Sequence, residues 1–206
     1  IIKKINGLLY GPSLKQLQFH ARKIPWARGW PENKKAFWNA EAFMWSRKID
    51  RQTRELIAQE LAPLRGGRNL DLGCGAYSYI PSVGLDLSPK MLQFNEQCRE
   101  KVPGNLEEGL PFPAQSFDSV TAVFVLNYVE NLKELLKEIQ RVIKPKGQFV
   151  VMLSSWGVKE WQKQKEVNSC STMEWTALLQ KTGFETSHRG YEGIVVWWCK
   201  KYSKGH

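Results

Sequence analysis

The stretch Asn69 to Ser88, NLDLGCGAYSYIPSVGLDLS, leaves a chain of this kind few ways to fold. An apolar strand runs into Asp71-Leu72-Gly73-Cys74-Gly75, and a second short strand ends in Gly84-Leu85-Asp86-Leu87-Ser88. Glycines directly after a strand let the backbone turn sharply and come close to a ligand, because no Cβ stands in the way. An acid at the tip of the next strand can accept hydrogen bonds from both hydroxyls of a ribose. Together they predict an open, mainly parallel α/β sheet that binds a nucleoside-containing cofactor.

The dinucleotide fingerprint fits poorly. It needs Gly-x-Gly-x-x-Gly opening a helix, with pyrophosphate on the helix N-terminus. Here Ser78 stands at the third glycine position and Tyr77 is bulky where phosphate oxygens need room. No P-loop pattern is present either, so a cofactor without phosphates suits the turn better.

Further blocks follow in order: Leu110-Pro111-Phe112-Pro113, Ser116-Phe117-Asp118, Val125-Leu126-Asn127-Tyr128-Val129-Glu130-Asn131, and a helix ending Arg141-Val142-Ile143-Lys144-Pro145-Lys146-Gly147. With the glycine turn and Gly84-Leu85-Asp86-Leu87-Ser88-Pro89, they resemble the class I S-adenosylmethionine-dependent methyltransferases, in the small-molecule branch with the ubiquinone and menaquinone enzymes. The resemblance covers roughly residues 68 to 200. It implies a three-layer, Rossmann-like sheet of order 3-2-1-4-5-7-6 with the last strand antiparallel, S-adenosylmethionine as cofactor, and no metal.

Hydrophobic periodicity and breakers supply the elements. Residues 1 to 32 read as a basic, aromatic, loop-rich arm, and Asn33 to Ala62 as helical until Pro63 and Gly66-Gly67 stop it. Strands are expected at 68–72, 83–87, 119–126, 148–153, 185–189 and 194–200. Ser88 and Pro89 should open one helix, Asn131 with Glu134 should form a capping box on the next, and Ser171 with Glu174 on the last. Residues 1–67 are thus expected to form an arm and helical lid, and 68–206 the cofactor-binding core of one domain overall. Only Ala76 to Ser82 separate Gly75 from Val83, and Pro81 is among them, so the full helix that the family places after the glycine turn should be one turn or absent.

Charge follows the same division. The chain of 206 residues has a formal net charge of +10, and residues 1 to 68 hold 14 Lys and Arg against 5 Asp and Glu. Residues 69 to 153 hold 8 against 10. Trp26, Trp30, Trp38 and Trp45 also fall in the basic third. The four cysteines are scattered without metal-ligand spacing, which predicts reduced thiols in a cytoplasmic protein. No apolar run approaches the ~20 residues that span a bilayer. The start, Ile1-Ile2-Lys3 without methionine, reads as trimmed, and no signal-peptide pattern is visible.

The resemblance assigns cofactor contacts to Asp71, Gly73, Cys74 and Gly75 at the methionine moiety, Asp86 at the ribose, and Leu87, Asn105 and Leu106 at the adenine. Val123 and Phe124 belong to the sulfonium side. Asn127 stands where many relatives have histidine. Substrate contacts are expected from His20, Trp38, Arg47, Asn127, Tyr128 and Trp156, with no catalytic residue assigned. The surplus of cations before residue 68 predicts a contact from this third to the amino-acid end of the cofactor, from Arg47 first, then Arg28 or His20. The preferred function is methyl transfer to a small-molecule acceptor by in-line displacement. The alternatives are an RNA methyltransferase using the basic arm, and a cofactor-binding protein that does not methylate. Nucleic acid is disfavoured because no RNA-binding module is recognisable, contact with a membrane surface is weakly patterned, and the oligomeric state is open.

Overall fold

The computed structural model describes residues 14–154 and 165–202. Seven strands form one sheet: β1 (Asn69–Leu72), β2 (Ser82–Asp86), β3 (Cys98–Pro103), β4 (Phe117–Val123), β5 (Ile143–Ser154), β6 (Phe184–Tyr191) and β7 (Ile194–Lys201). Their order is β3-β2-β1-β4-β5-β7-β6. The strands from β3 to β5 are parallel, whereas β7 runs antiparallel to both β5 and β6. The chain leaves β1 in one direction for β2 and β3, then returns to its other side for β4. That reversal opens a crevice at the carboxyl ends of β1 and β4, where open α/β sheets bind ligands.

Six α-helices accompany the sheet among the described residues: α1 (Leu14–Ala21), α2 (Lys34–Glu41), α3 (Arg51–Leu61), α4 (Pro89–Phe94), α5 (Leu132–Val142) and α6 (Thr172–Lys181). On one face, Leu135, Leu136, Ile139 and Val142 of α5 and Leu179 of α6 pack on Leu70, Leu72, Val120, Ala122, Phe149 and Val151. The alternate side chains of β5 and β7, Val150, Met152, Ile194 and Val196, point to the other face and meet Ile57 and Leu61 of α3 with Tyr79 and Ile80. This is the period-two division of a sheet covered on both sides.

Element bounds shift, as β4 stops at Val123 and α5 at Val142 with Ile143 already opening β5, and beyond such shifts the structure departs from the sequence reading in three places. Residues 33–62 are not one helix: a 3-10 segment, Ala42–Arg47, separates α2 from α3, and Asp50 starts α3 afresh by accepting the Thr53 N–H at 2.8 Å. The Asn131–Glu134 capping box does not form, since Asn131 makes no side-chain cap. Glu107 does that work from a distance, accepting the N–H groups of Glu130 at 2.8 Å and Asn131 at 3.0 Å. Third, β3 carries the sequence CREKVP, with a buried first residue and mostly exposed ones after it. An edge strand of this polarity has no apolar alternation to announce it. The Ser171–Glu174 box and the Ser88 cap are present as expected.

No helix follows Gly75. Residues 76–81 cross directly to β2 as an irregular loop.

Candidate functional site

Gly73 and Gly75 adopt positive φ angles of 56° and 58°, the left-handed region that glycine enters without a steric penalty. At Gly73 a Cβ would also lie 2.3 Å from Val125 Cγ2, so the turn closes against the loop after β4 only because this position has no side chain. Phe124, next to Val125, is a non-glycine residue at φ 56°, held by its N–H donating to the Met152 carbonyl at 2.8 Å. Strained backbone of this kind concentrates at ligand sites.

Two buried carboxylates organise the turn. Asp71 accepts the Ser78 hydroxyl at 2.6 Å and the Thr121 hydroxyl at 2.9 Å, which fixes β1 to β4 and to the loop that replaces the helix. Asp86 accepts the N–H of Gly75 at 2.9 Å and that of Ser88 at 2.8 Å, tying the tip of β2 to the turn. Burial raises both carboxyls to about 6, against the lowering effect of these hydrogen bonds. Each Asp86 oxygen accepts one protein N–H and keeps a second lone pair.

These groups border a cleft with an empty volume of about 620 Å³. Gly73, Gly75, Asp86, Leu87, Asn105, Leu106, Val123 and Phe124 all line it, eight of the ten expected cofactor contacts. Asp71 and Cys74 instead border a smaller cavity of about 260 Å³ past the turn, which shares Gly73, Val123 and Phe124 with the cleft. The Cys74 side chain packs into a buried cluster with Leu92 and Cys98. Asn105 uses its amide within its own loop, accepting the Glu107 N–H at 3.2 Å and donating to Glu108 at 3.0 Å.

Helix α2 forms the opposite wall. Trp38 lines the cleft edge-to-face with Tyr128, ring centroids 5.0 Å apart. Lys34 reaches across to donate to the Tyr128 carbonyl at 2.7 Å and pairs with Glu107 at 3.4 Å. Burial alone would raise the Glu107 carboxyl, but the N–H groups of Glu130 and Asn131 and the Lys34 ammonium together hold it below the usual range. Asn39 anchors the same helix to the core, its buried amide donating to the Trp26 carbonyl and accepting the Ser88 hydroxyl at 2.7 Å. Burial pushes the Tyr128 phenol up to about 12, so it stays protonated at neutral pH.

Of the expected substrate residues, Trp38 and Tyr128 line the cleft. His20 is exposed and sits edge-on to Phe19, away from the cleft lining. Asn127 does not line the cleft either: it donates to Glu166 at 2.6 Å while its carbonyl accepts the N–H groups of Val167 and Asn168. Trp156 and the side chain of Arg47 lie outside the described residues. Sequence reasoning missed Lys34, Met91, Glu107, Val125 and Val129, which also line the cleft. Lys34 was hidden among many basic residues, and no spacing in the sequence links it to Glu107.

Residues 70–151 match the methyltransferase domain family. Demethylmenaquinone methyltransferase of Tropheryma whipplei is 34% identical over 114 residues, which is 50% of this chain and 48% of its own length. The enzyme of that name from Bacillus licheniformis is 34% identical over 125 residues, 52% of this chain and 53% of its own. The chain therefore spans about half the length of the curated relatives it matches. Among solved structures, the Haloferax volcanii complex of a methyltransferase with its activator matches with TM-score 0.66 at 18% identity, covering 80% of this chain and 97% of that one. DhpI in complex with SAH matches with TM-score 0.64 at 16% identity, covering 81% and 94%. The domain match over residues 70–151, the sheet order and the switch-point cleft support a class I S-adenosylmethionine-dependent methyltransferase. In sequence the matched region is similar to the menaquinone-type enzymes.

Among the described residues, no helix is long and apolar enough to cross a membrane.

Proposed function

We propose that this protein transfers the methyl group of S-adenosylmethionine to a small-molecule acceptor with a flat apolar portion. The carrying observation is one cleft whose lining joins Gly73, Gly75, Asp86, Leu87 and Leu106, which we read as the nucleoside wall, with the aromatic Trp38 and Tyr128. The residues fit the cofactor: Asp86 presents acceptors toward the cleft, and Leu87, Met91 and Leu106 offer apolar surface for adenine. When bound, S-adenosylmethionine supplies a methyl on a positively charged sulfur, which an in-line nucleophile displaces as a neutral thioether.

The protein's own part is orientation and exclusion of water. Asp86 accepts the ribose hydroxyls. The Asn105 amide oxygen, with a second lone pair, accepts from the adenine amino group. Val123, Phe124 and Val125 shape the wall beside the sulfonium. Trp38, Tyr128 and Val129 hold the acceptor, and the protonated Tyr128 phenol can donate a hydrogen bond to it but cannot serve as its base at neutral pH. Helix α2 acts as a lid over the cleft, with Lys34 and Asn39 as its ties. The names of the similar proteins, demethylmenaquinone methyltransferases and a Caenorhabditis elegans sterol 4-C-methyltransferase that is 31% identical over 111 residues, favour an apolar ring system as acceptor.

The reading is tested at Asp86. Asp86→Ala should weaken S-adenosylhomocysteine binding by about ten- to a hundred-fold, the worth of hydrogen bonds to a charged group. Calorimetry on the folded variant measures it, and an unchanged dissociation constant would remove Asp86 from the site. Labelled-methyl turnover on quinone-like or sterol-like acceptors is the expected activity; label appearing in RNA instead would overturn the choice of acceptor class.

A further inference from the structure

Large apolar side chains left in water are informative when they gather in one place. Among the described residues, Phe19, Ile24, Phe43, Met44 and Phe94 are exposed, Phe43 at 51% and Phe94 at 42%. Phe43 meets two other rings, its centroid 5.3 Å from that of Trp26 and 5.4 Å from that of Phe94. Phe43 and Met44 belong to the 3-10 segment after α2, and Phe94 ends α4. Trp26 lies in a 3-10 turn, Pro25–Ala27, that Ile24 precedes. The fold thus assembles one apolar surface from separate segments, which is why the sequence patterns it weakly.

The rim of this surface is cationic. Residues 14–44 hold six Lys and Arg against Glu32 and Glu41, and Glu41 is buried and paired with Lys48. Lys23 sets its ammonium over the Phe19 ring, 4.4 Å from the centroid. A charge carried above an apolar body is how such side chains sit at a boundary between water and hydrocarbon. Arg22 is exposed beside it, and Arg28, which does not line the cleft, is exposed at the end of the Trp26 turn. On α4, Lys90 stands one helical turn before Phe94 and so on the same side. The exposed acids of these segments are Glu32, which accepts from Gln18 at 3.1 Å, and Glu96 just past α4.

RNA, a second copy of the chain and an anionic bilayer all have to be weighed as occupants. Single-stranded RNA stacks its bases on open ring faces. Here Phe43 meets Phe94 edge-to-face at 74°, and Ile24 and Met44 have no ring to offer. A symmetric pair of chains would set the cationic rim against itself. A bilayer takes rings and aliphatic side chains at any angle, and its anionic headgroups attract the rim. We propose that this face docks on a bilayer containing anionic lipid, with Ile24, Phe43, Met44 and Phe94 entering the headgroup boundary and Arg22, Lys23 and Arg28 meeting the headgroups. Elements of the surface also wall the cleft: Met91 lines it from α4, and Trp38 from α2, directly before the 3-10 segment. Docking would bring the cleft to a bilayer-dissolved acceptor, but the surface rests on its own side chains and not on the acceptor.

Vesicle flotation of the full chain tests this, with phosphatidylcholine alone and phosphatidylcholine mixed with phosphatidylglycerol. The wild type should float with the mixed vesicles and bind the neutral ones at least about ten-fold more weakly. Phe43→Ser with Phe94→Ser should weaken binding to mixed vesicles by about ten-fold or more, through lost apolar burial. Arg22→Glu with Lys23→Glu should weaken it by a similar factor, and added salt should have the same effect. Both double variants should keep the wild-type affinity for S-adenosylhomocysteine, since none of the four residues lines the cleft. If the phenylalanine pair does not fold, Phe94→Ser alone should still lose about three-fold. A wild type that ignores both vesicles overturns the proposal. So does a phenylalanine variant that floats as well as the wild type, because only electrostatic adsorption would then remain. Absent vesicle binding, Phe43-dependent dimerisation in sedimentation would give the face to a second copy, and binding of a single-stranded RNA would give it to nucleic acid. Flotation needs neither cofactor nor turnover, so its failure leaves the proposed function in place.

Discussion

The two faces of β1 and β4 have opposite chemistry. On one, Leu70, Leu72, Val120 and Ala122 lie fully buried under α5. On the other, Asn69, Asp71, Ser119 and Thr121 are almost equally buried yet entirely polar. Asn69 donates to Ser82 at 2.9 Å and to Thr121 at 3.0 Å and accepts from Ser119 at 2.7 Å, while Thr121 and Ser78 donate to Asp71. The apolar face gains stability from area, which tolerates small errors in shape. The polar face gains little net stability per bond but is costly to leave unsatisfied, so it specifies one geometry. That geometry runs straight up to the glycine turn. The scaffold face holds the sheet together and the polar face aims the site.

The largest effect should come from breaking the apolar face. Phe149 is fully buried, with its ring centroid 5.5 Å from that of Phe184, and Phe149→Ala should cost about 3–5 kcal/mol in urea unfolding. Cofactor affinity of the folded fraction should not change; a parallel loss of affinity would show that the two faces are not independent.

Next comes Asp71, whose carboxyl burial raises to about 6 in the folded protein, against the Ser78 and Thr121 hydrogen bonds. Because the folded value lies above the unfolded one, ionisation favours the unfolded chain. Wild-type stability is therefore greatest, on this account, below about pH 4 and declines until about pH 6. Asp71→Asn cannot ionise and should lack this slope. The stability of the wild type relative to the variant should fall by about 2–3 kcal/mol between pH 4 and pH 7. Denaturation at both pH values measures it, and a constant difference would mean that the carboxyl ionises alike in both states.

The smallest effect should be at Lys34, which joins α2 to the core through a partly exposed pair with Glu107. Lys34→Met should change stability by less than about 1 kcal/mol. It should also speed S-adenosylhomocysteine release by roughly two- to five-fold, because α2 loses its tie to the Tyr128 carbonyl. Stopped-flow displacement checks this, and an unchanged off-rate would show that the Lys34 contact does not control ligand release.

Legibility tracked the kind of interaction. The glycine turn and Asp86 could be read because each depends on local backbone chemistry: positive φ at Gly73 and Gly75, and an acid at the end of a strand. The apolar face of α5 was legible from its spacing. The third strand was not, because an exposed edge strand carries no alternation. The Asn131–Glu134 box had the right spacing, but Glu107, twenty-four residues upstream of Asn131, took the N–H it would have capped. A local rule gave way to a contact across the fold.

By itself the sequence determined the glycine turn with its ribose acid and, since seven residues with a proline leave no room for a full helix and its return, a helix after Gly75 cut to one turn or absent; its family resemblance added the sheet order and the cofactor. Tertiary structure alone decided which of many lysines and arginines face the cleft, that Asp86 ties the turn together as well as facing the cleft, and that Asn127 lies outside it. The reason is physical. Backbone geometry and hydrophobic period are properties of short segments, whereas the placement of a charged side chain depends on which distant elements the folded sheet brings together.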